Sequence, residues 1–315
     1  MLAWIVQAVD PTAVGRLVLE VGIAGLGAVL LVYFVAFLID TVTWQITVLS
    51  VPLTARWLGR FWAVRMAGEA FNYILPAAGM GGEPLKVVLL KEHYDVGYRE
   101  ATASLILSKT INLAGLMLFL GIGFVMAIGS PEMSAVSKVF AGMGFGALGL
   151  GTGLFYAIQR YRVTSIAGTW LAGKPIGRRI DSILHHIHDM DERLVTFYTG
   201  HGKRLFWAIV LAFVNWVLGV AEIWVAMHFI GHPISMTEAW IIEAVAQMVR
   251  TATFFIPLSL GAQEGAFILM FLELAGSSVL GGAFAVIRRV REVIWALLGA
   301  GLAAAYSLYG RRRAG

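Results

Sequence analysis

Two short stretches hold most of the residues able to do chemistry. In "LPAAGMGGEPLK" (75–86), Pro76 is followed seven residues later by Glu83, with Gly82 just before it and Lys86 just after. In "FIPLSLGAQEGAF" (255–267), Pro257 is followed seven residues later by Glu264, with Gly261 between them. A third group, "RRVRE" (288–292), places Arg288, Arg289 and Arg291 beside Glu292, and Lys109 and Arg250 stand in otherwise apolar surroundings. A helix that begins after a glycine-rich bend presents free N–H groups and a positive dipole end to an anion. Guanidinium forks match phosphate bidentately, and the carboxylates can hold those arginines in place or take a cationic head group. Recognition of a charged head group is therefore the expected chemistry. No nucleophile–base pair emerges, so no catalytic residue is assigned. The absence of cysteine excludes disulfides, thiolate catalysis and zinc–cysteine sites. A plainer role for Glu83 is also open: with Pro84 next to it, it suits the first turn of a helix as a cap.

"HHIHDMDERL" (185–194) sets His185 with Asp189, and His188 with Glu192, one helical turn apart. Apolar Ile183, Leu184, Ile187, Met190 and Leu194 are interleaved, so the stretch reads as an interfacial amphipathic helix rather than a metal site. No metal, cofactor or nucleic-acid partner is expected.

The elements that must position these residues are membrane helices. Of 315 residues, 59% are hydrophobic and 14% charged, and mean hydropathy is +0.79. Windows of about 20 nearly uncharged residues are long enough to cross a ~30 Å hydrocarbon layer. The sequence predicts spans at 17–39, 42–58 (after a tight break at Asp40–Thr41), 101–128, 136–158, 205–230 and 283–309. Broken regions fall at 63–98 and 237–276. The fold class is an all-α polytopic membrane protein with about six full spans and two re-entrant regions. It is one transmembrane domain over 1–315, with a first half at 17–158, a cytoplasmic loop at 159–204 and a second half at 205–309. The basic loop and the Arg311–Arg312–Arg313 tail belong in the cytoplasm. Parity then puts both termini on the cytoplasmic side of the membrane. The N-terminal residues lack the basic region of a cleavable signal.

The two broken regions repeat one another. Pro76 is separated from Pro257 by the same distance along the chain as Glu83 is from Glu264, and that shared offset also lays Lys109 over the 288–292 group. Three crossings lie between the copies, so they face opposite sides of the bilayer. That inverted arrangement places a substrate site near mid-membrane. Broken backbone at that depth must be buried in protein or line a wet cavity. A central polar cavity is expected, faced by Glu83, Lys86, Lys109, Arg250, Glu264, Arg288, Arg289 and Arg291, with Glu69, Glu243, Glu273 and Glu292 as further intramembrane charges. Such charges cost about 2.5–3.5 kcal/mol each at a helix centre and so pair or face a cavity. Arg288 is expected to pair with Glu292 across one turn.

These motifs, "LPAAGMGGEPLKVVLL…ATASLILSKTINL" and "FFIPLSLGAQEGAF…RRVREVIWALLG", resemble the lysylphosphatidylglycerol synthase transmembrane-region family, also described as flippase-like. The resemblance covers about 17–309, and "SLGAQEG" is closest to the branch associated with hopanoid biosynthesis. It implies movement of a phospholipid, hopanoid or other isoprenoid lipid between leaflets. Membrane lipids would be partners, along with proteins of lipid biosynthesis. By the same resemblance Pro76, Gly82, Glu83, Pro257, Gly261 and Glu264 fall on the family motifs and Arg288, Arg289 and Arg291 on its basic helix, while Lys109 stands where an arginine is more usual. Two other readings stay open. One is a membrane-embedded head-group transferase or hydrolase with Glu83 or Glu264 as base; the other is a non-catalytic partner of a lipid-synthesis complex.

Overall fold

Long apolar segments with almost no alternating pattern satisfy their backbone groups internally, and the chain is helical accordingly. The computed structural model describes residues 10–74, 81–161, 192 and 195–314. These include nine α-helices, α1 (Pro11–Thr47), α2 (Ala55–Ile74), α3 (Glu83–Tyr94), α4 (Tyr98–Gly129), α5 (Ala135–Arg160), α6 (Gly202–Phe229), α7 (Met236–Ala252), α8 (Ala262–Ala275) and α9 (Ser278–Ala314), with a 3-10 turn at Pro257–Ser259 and further helical residues at 195–200. Helices α1, α4, α5 and α6 are long and apolar enough to span a membrane.

Contacts define two ends. At one, the Ser50 N–H donates to Glu100 at 3.0 Å, the Trp44 indole donates to Ser104 at 3.1 Å, and the hydroxyls of Tyr94 and Tyr306 meet at 2.8 Å. This is the basic end, holding Arg56, Arg60, Lys91, Arg99, Arg160, Lys203 and Arg204. At the other, Arg16 and Leu17 lie beside His232, Ala275 and Ser277, and Glu273 accepts from the Ser134 N–H at 2.6 Å and the Ser137 hydroxyl at 2.7 Å. This acidic end carries Asp10, Glu20, Glu132, Glu238 and Glu273 against Arg16 and Lys138.

Helices α1, α4, α5, α6 and α9 run between the ends. The α2–α3 pair starts and finishes at the basic end, and the α7–α8 pair starts and finishes at the acidic end. Each is a re-entrant hairpin. The order span–hairpin–span thus occurs twice, as α1–α2–α3–α4 and α6–α7–α8–α9, with α5 as the odd crossing that inverts the second copy. Helix starts agree with the repeat: Ala55 and Met236 stand at the offset that separates Glu83 from Glu264, and Tyr98 and Ser278 fall a single position short of it. The largest apolar cluster joins α1, α4, α6, α7, α8 and α9 around Phe119, Ile223, Ile242, Phe271 and Phe284.

Two expectations are corrected. There is no break at Asp40–Thr41: α1 continues to Thr47, and the Thr41 and Thr43 hydroxyls donate to the carbonyls of Phe37 (2.7 Å) and Ile39 (3.0 Å) within the helix. No glycine or proline follows Gly27 in α1 to stop it, and Asp40 serves as an ion-pair partner for α2 rather than as a turn residue. The non-helical residue is instead Gly22, whose φ of 62° kinks the helix near its start. Fusing two expected spans changes the parity. Asp10 and Tyr306 therefore lie at opposite ends of the bundle, and the two ends of the described chain do not share one side.

Close helix contacts depend on missing side chains. A Cβ on Gly281 would sit 2.6 Å from the Phe267 carbonyl oxygen and 2.7 Å from the Ile268 Cα, where backbone cannot yield. By contrast, nothing lies within 4 Å of a Cβ built on Gly146. Gly281→Val should therefore cost about 1–3 kcal/mol through overpacking. It should lower the thermal unfolding midpoint of the detergent-solubilised protein, while Gly146→Ala leaves that midpoint in place; equal midpoints for both would contradict the packing described.

Candidate functional site

In the first copy, the site begins where α3 starts. A Cβ on Gly82 would strike the Gly68 backbone on α2, so two glycines let the arms of this hairpin touch. The Asn72 side chain accepts from the Gly82 N–H at 2.7 Å and donates to Glu69 at 3.2 Å. Glu83 opens α3, but its carboxylate does not cap: it takes Lys86 at 3.1 Å and Lys109 of α4 at 3.0 Å. Lys86 also reaches Glu69 at 2.8 Å. Arg65 pairs with Asp40 of α1, whose other oxygen accepts from Asn112 at 2.8 Å. Three acids (Asp40, Glu69, Glu83) balance three bases (Arg65, Lys86, Lys109). Pro76 lies outside the described residues.

The second copy is built from the same parts with more arginine. Gly261, at φ 82°, precedes α8, and its N–H donates to Glu264 at 2.8 Å. The other Glu264 oxygen holds Arg289 of α9 at 2.6 Å, and Arg289 also binds Glu292 at 2.6 Å and the Leu258 carbonyl at 3.0 Å. Arg288 is gripped by both oxygens of Glu243, at 2.9 and 2.8 Å, and lies 3.7 Å from Glu222. Arg291 pairs with Glu222 and sits 3.8 Å over the Tyr33 ring. Four acids (Glu222, Glu243, Glu264, Glu292) are matched by Arg250, Arg288, Arg289 and Arg291.

Equivalent pairs link the copies. Glu83–Lys109 and Glu264–Arg289 occupy matching positions of the repeat to within a single place, and each ties the second arm of a hairpin to the following span. Helix α1 joins the two clusters. Its Tyr33, Phe37 and Asp40 share one face, and Arg291 stacks on Tyr33 while Arg65 stacks on Phe37 at 4.5 Å.

The tip of the α7–α8 hairpin is strained. Leu258 (φ 56°) and Ser259 (φ 48°) both adopt the left-handed region, which costs on the order of 1–3 kcal/mol per residue without glycine. Arg289 on the Leu258 carbonyl and the Ser259 hydroxyl on the Arg250 carbonyl (3.3 Å) hold it there. Pro257 opens this turn.

Arg288 pairs with Glu243 rather than with Glu292, because a bidentate partner on α7 outcompetes a neighbour on its own helix. Glu273 lies outside the charge core, against the start of α5. Among the described residues, the crevice at Gln263, Glu264, Phe267, Ala285, Arg288 and Arg289 has no room for a water molecule, although Glu69, Arg289 and Glu264 keep 26, 22 and 18% of their side chains exposed. Two cations retain capacity. Lys109 is 46% exposed despite its pair, and Arg250, half-buried, has no ion pair or side-chain hydrogen bond among the described residues. Sequence reasoning missed Glu222, Asp40, Arg65 and Gln263. Glu222, alone in "VLGVAEIWVAM", carried the same insertion cost as the acids that were noticed. Gln263 is buried with its amide nitrogen unbonded and gives no sequence signal. The 185–194 stretch lies outside the described residues except for Glu192.

Removing one member of a buried pair strands the other, whereas replacing both with apolar groups relieves the penalty. Glu243→Ala should cost about 3–5 kcal/mol, and the double variant Glu243→Leu/Arg288→Met should recover most of it. Denaturation in detergent that ranks the double variant below the single would count against a buried pair.

Comparison with known proteins finds membrane proteins. A UPF0104 membrane protein of Methanothermobacter thermautotrophicus (strain Delta H) is 22% identical over 287 residues, covering 86% of this chain and 81% of that protein. No solved structure matches the chain. The family described as the lysylphosphatidylglycerol synthase TM region matches residues 1–301. The chain therefore belongs to the lysylphosphatidylglycerol synthase transmembrane-region family.

Proposed function

We propose that this protein moves a lipid with a phosphate-bearing head group between leaflets. The observation that carries this reading is the equivalence of Glu83–Lys109 and Glu264–Arg289 on hairpins that enter from opposite ends. Each pair closes one hairpin tip against the next span. A phosphate that takes the cation away from its carboxylate opens that tip, while the other pair stays closed. Lys109 and Arg250 offer the first contact, since neither must break a complete network to bind an anion. Arg289 follows, with the Gln263 amide as a donor to a phosphate or hydroxyl oxygen. Inverted hairpins that enter from opposite ends suit such alternating access. In this reading the two halves, 17–158 and 205–309, are the moving units, and the closed crevice belongs to the conformation between the two open ones.

With Arg311, Arg312 and Arg313 at the end of α9, ten Lys and Arg residues of the described helices gather at the basic end and two at the acidic end, which supports a cytoplasmic basic end in a bacterial inner membrane. A hopanoid-linked lipid is a narrower form of the same proposal, resting on the "SLGAQEG" stretch. Family membership supports a membrane function related to lipids, and no nucleophile or metal set among the described residues supports chemistry on them.

The test is leaflet exchange of a fluorescent phospholipid in vesicles containing the full chain. Glu264→Gln and Lys109→Ala should each slow exchange by about tenfold or more, equivalent to about 1.4 kcal/mol of barrier, with Gly146→Ala as the unaffected control. Rates within twofold of wild type for both variants, in protein that remains folded, would overturn the reading. A chemically new lipid in the same vesicles would replace it with the enzymatic one.

A further inference from the structure

A second polar site lies away from the charge core, at the acidic end. A cavity of about 440 Å³ opens between the first turns of α1, the α6–α7 connection and the junction of α8 with α9. Arg16, Leu17, Glu20, His232, Ser277 and Leu280 are among its lining residues. The kink at Gly22 falls just after Glu20 and sets this first part of α1 at its own angle to the rest of the helix.

Arg16 and Glu20 are one turn apart on the same helix face, and opposite charges at that spacing ordinarily pair. Here both are exposed, and among the described residues neither makes an ion pair or a side-chain hydrogen bond. The nearby Asp10 carboxylate acts on Arg16 electrostatically, yet its hydrogen-bonding is directed to the N–H (2.9 Å) and hydroxyl (2.8 Å) of Thr12. Two fixed charges of opposite sign thus face one cavity with their bonding capacity unused. Depth matters as well. Beyond the Gly22 kink, residues 23–47 alone make about 37 Å of helix, enough to cross a ~30 Å hydrocarbon layer. The first turns of α1 therefore lie at the level of lipid head groups.

We propose that this cavity binds the head group of a zwitterionic phospholipid, with the phosphate on Arg16 and the ammonium on Glu20. His232 and Ser277 supply donors to the remaining phosphate oxygens, and Leu17 and Leu280 cover the glycerol and the first acyl carbons. The volume falls in the range of about 300–1,000 Å³ usual for small-ligand sites. A purely anionic lipid satisfies Arg16 but sets its charge against Glu20, so the site discriminates by the amine. Binding here does not depend on transport and goes beyond that reading.

Native mass spectrometry of the full chain in detergent provides the test, with phosphatidylethanolamine and phosphatidylglycerol of matched acyl chains supplied in competition. Wild type should favour the ethanolamine lipid. Arg16→Gln should weaken both, and Glu20→Gln should remove the preference by about tenfold, equivalent to about 1.4 kcal/mol. Gly146→Ala, in open space on α5 and outside both sites, should keep the wild-type ratio. Free phosphoethanolamine should compete and inorganic phosphate should not. An unchanged lipid ratio in Glu20→Gln, a wild-type preference for the glycerol lipid, or equal competition by inorganic phosphate would each overturn the assignment. Both substitutions are at exposed positions, so matching unfolding midpoints will verify that the variants are folded.

Discussion

Arg288 held by both oxygens of Glu243 is the contact on which the second half of the molecule is organised. A guanidinium at mid-depth cannot give up its proton and cannot remain alone, so a carboxylate must be delivered to it from another helix. Glu243 comes from the α7 arm of a hairpin that enters from the acidic end, and Glu222 comes from α6. Meeting that demand brings α6, α7 and α9 to one point and leaves little freedom in their packing. Gly219 permits it: a Cβ there would lie 2.6 Å from the Glu243 carboxylate.

The same demand explains the re-entrant hairpins. A hairpin that stops inside the bilayer exposes N–H and C=O groups that water cannot reach, and these need partners in the protein. Side chains of the hairpins and of adjacent helices provide them. Asn72 takes the Gly82 N–H, Glu264 takes the Gly261 N–H, and Arg289 takes the Leu258 carbonyl. Charged side chains thus satisfy two requirements together, neutralising one another and completing broken backbone. The left-handed residues at the α7–α8 tip persist because these bonds over-determine them.

The two copies are not identical in chemistry. The position equivalent to Glu69 is Arg250, an acid exchanged for a base across the repeat, and Lys86 corresponds to apolar Phe267. The first cluster neutralises itself largely with lysine point charges and the second with arginine forks, which suit bidentate partners. Helix α1 reconciles them by offering an aromatic ring to a guanidinium from each side.

Much of this was legible in the chain. Composition dictated membrane helices, and paired Pro–Gly–Glu breaks at one offset gave two hairpins of opposite entry. Insertion cost alone marked Glu83, Glu264, Lys109 and the 288–292 arginines as residues that must meet partners inside. Those features are local or periodic, so a one-dimensional reading recovers them. Which acid meets which base is not of that kind. Glu222 on α6 meets Arg291 on α9 across an intervening hairpin, and Asp40 looked like a turn because its partner Arg65 on α2 was invisible. Nor does the sequence reveal that the crevice beside Glu264 and Arg289 is closed to water, since an open cavity and a packed one need the same residues. Tertiary packing decided both matters, because an ion pair depends on distances of a few ångströms that only the folded arrangement of helices sets.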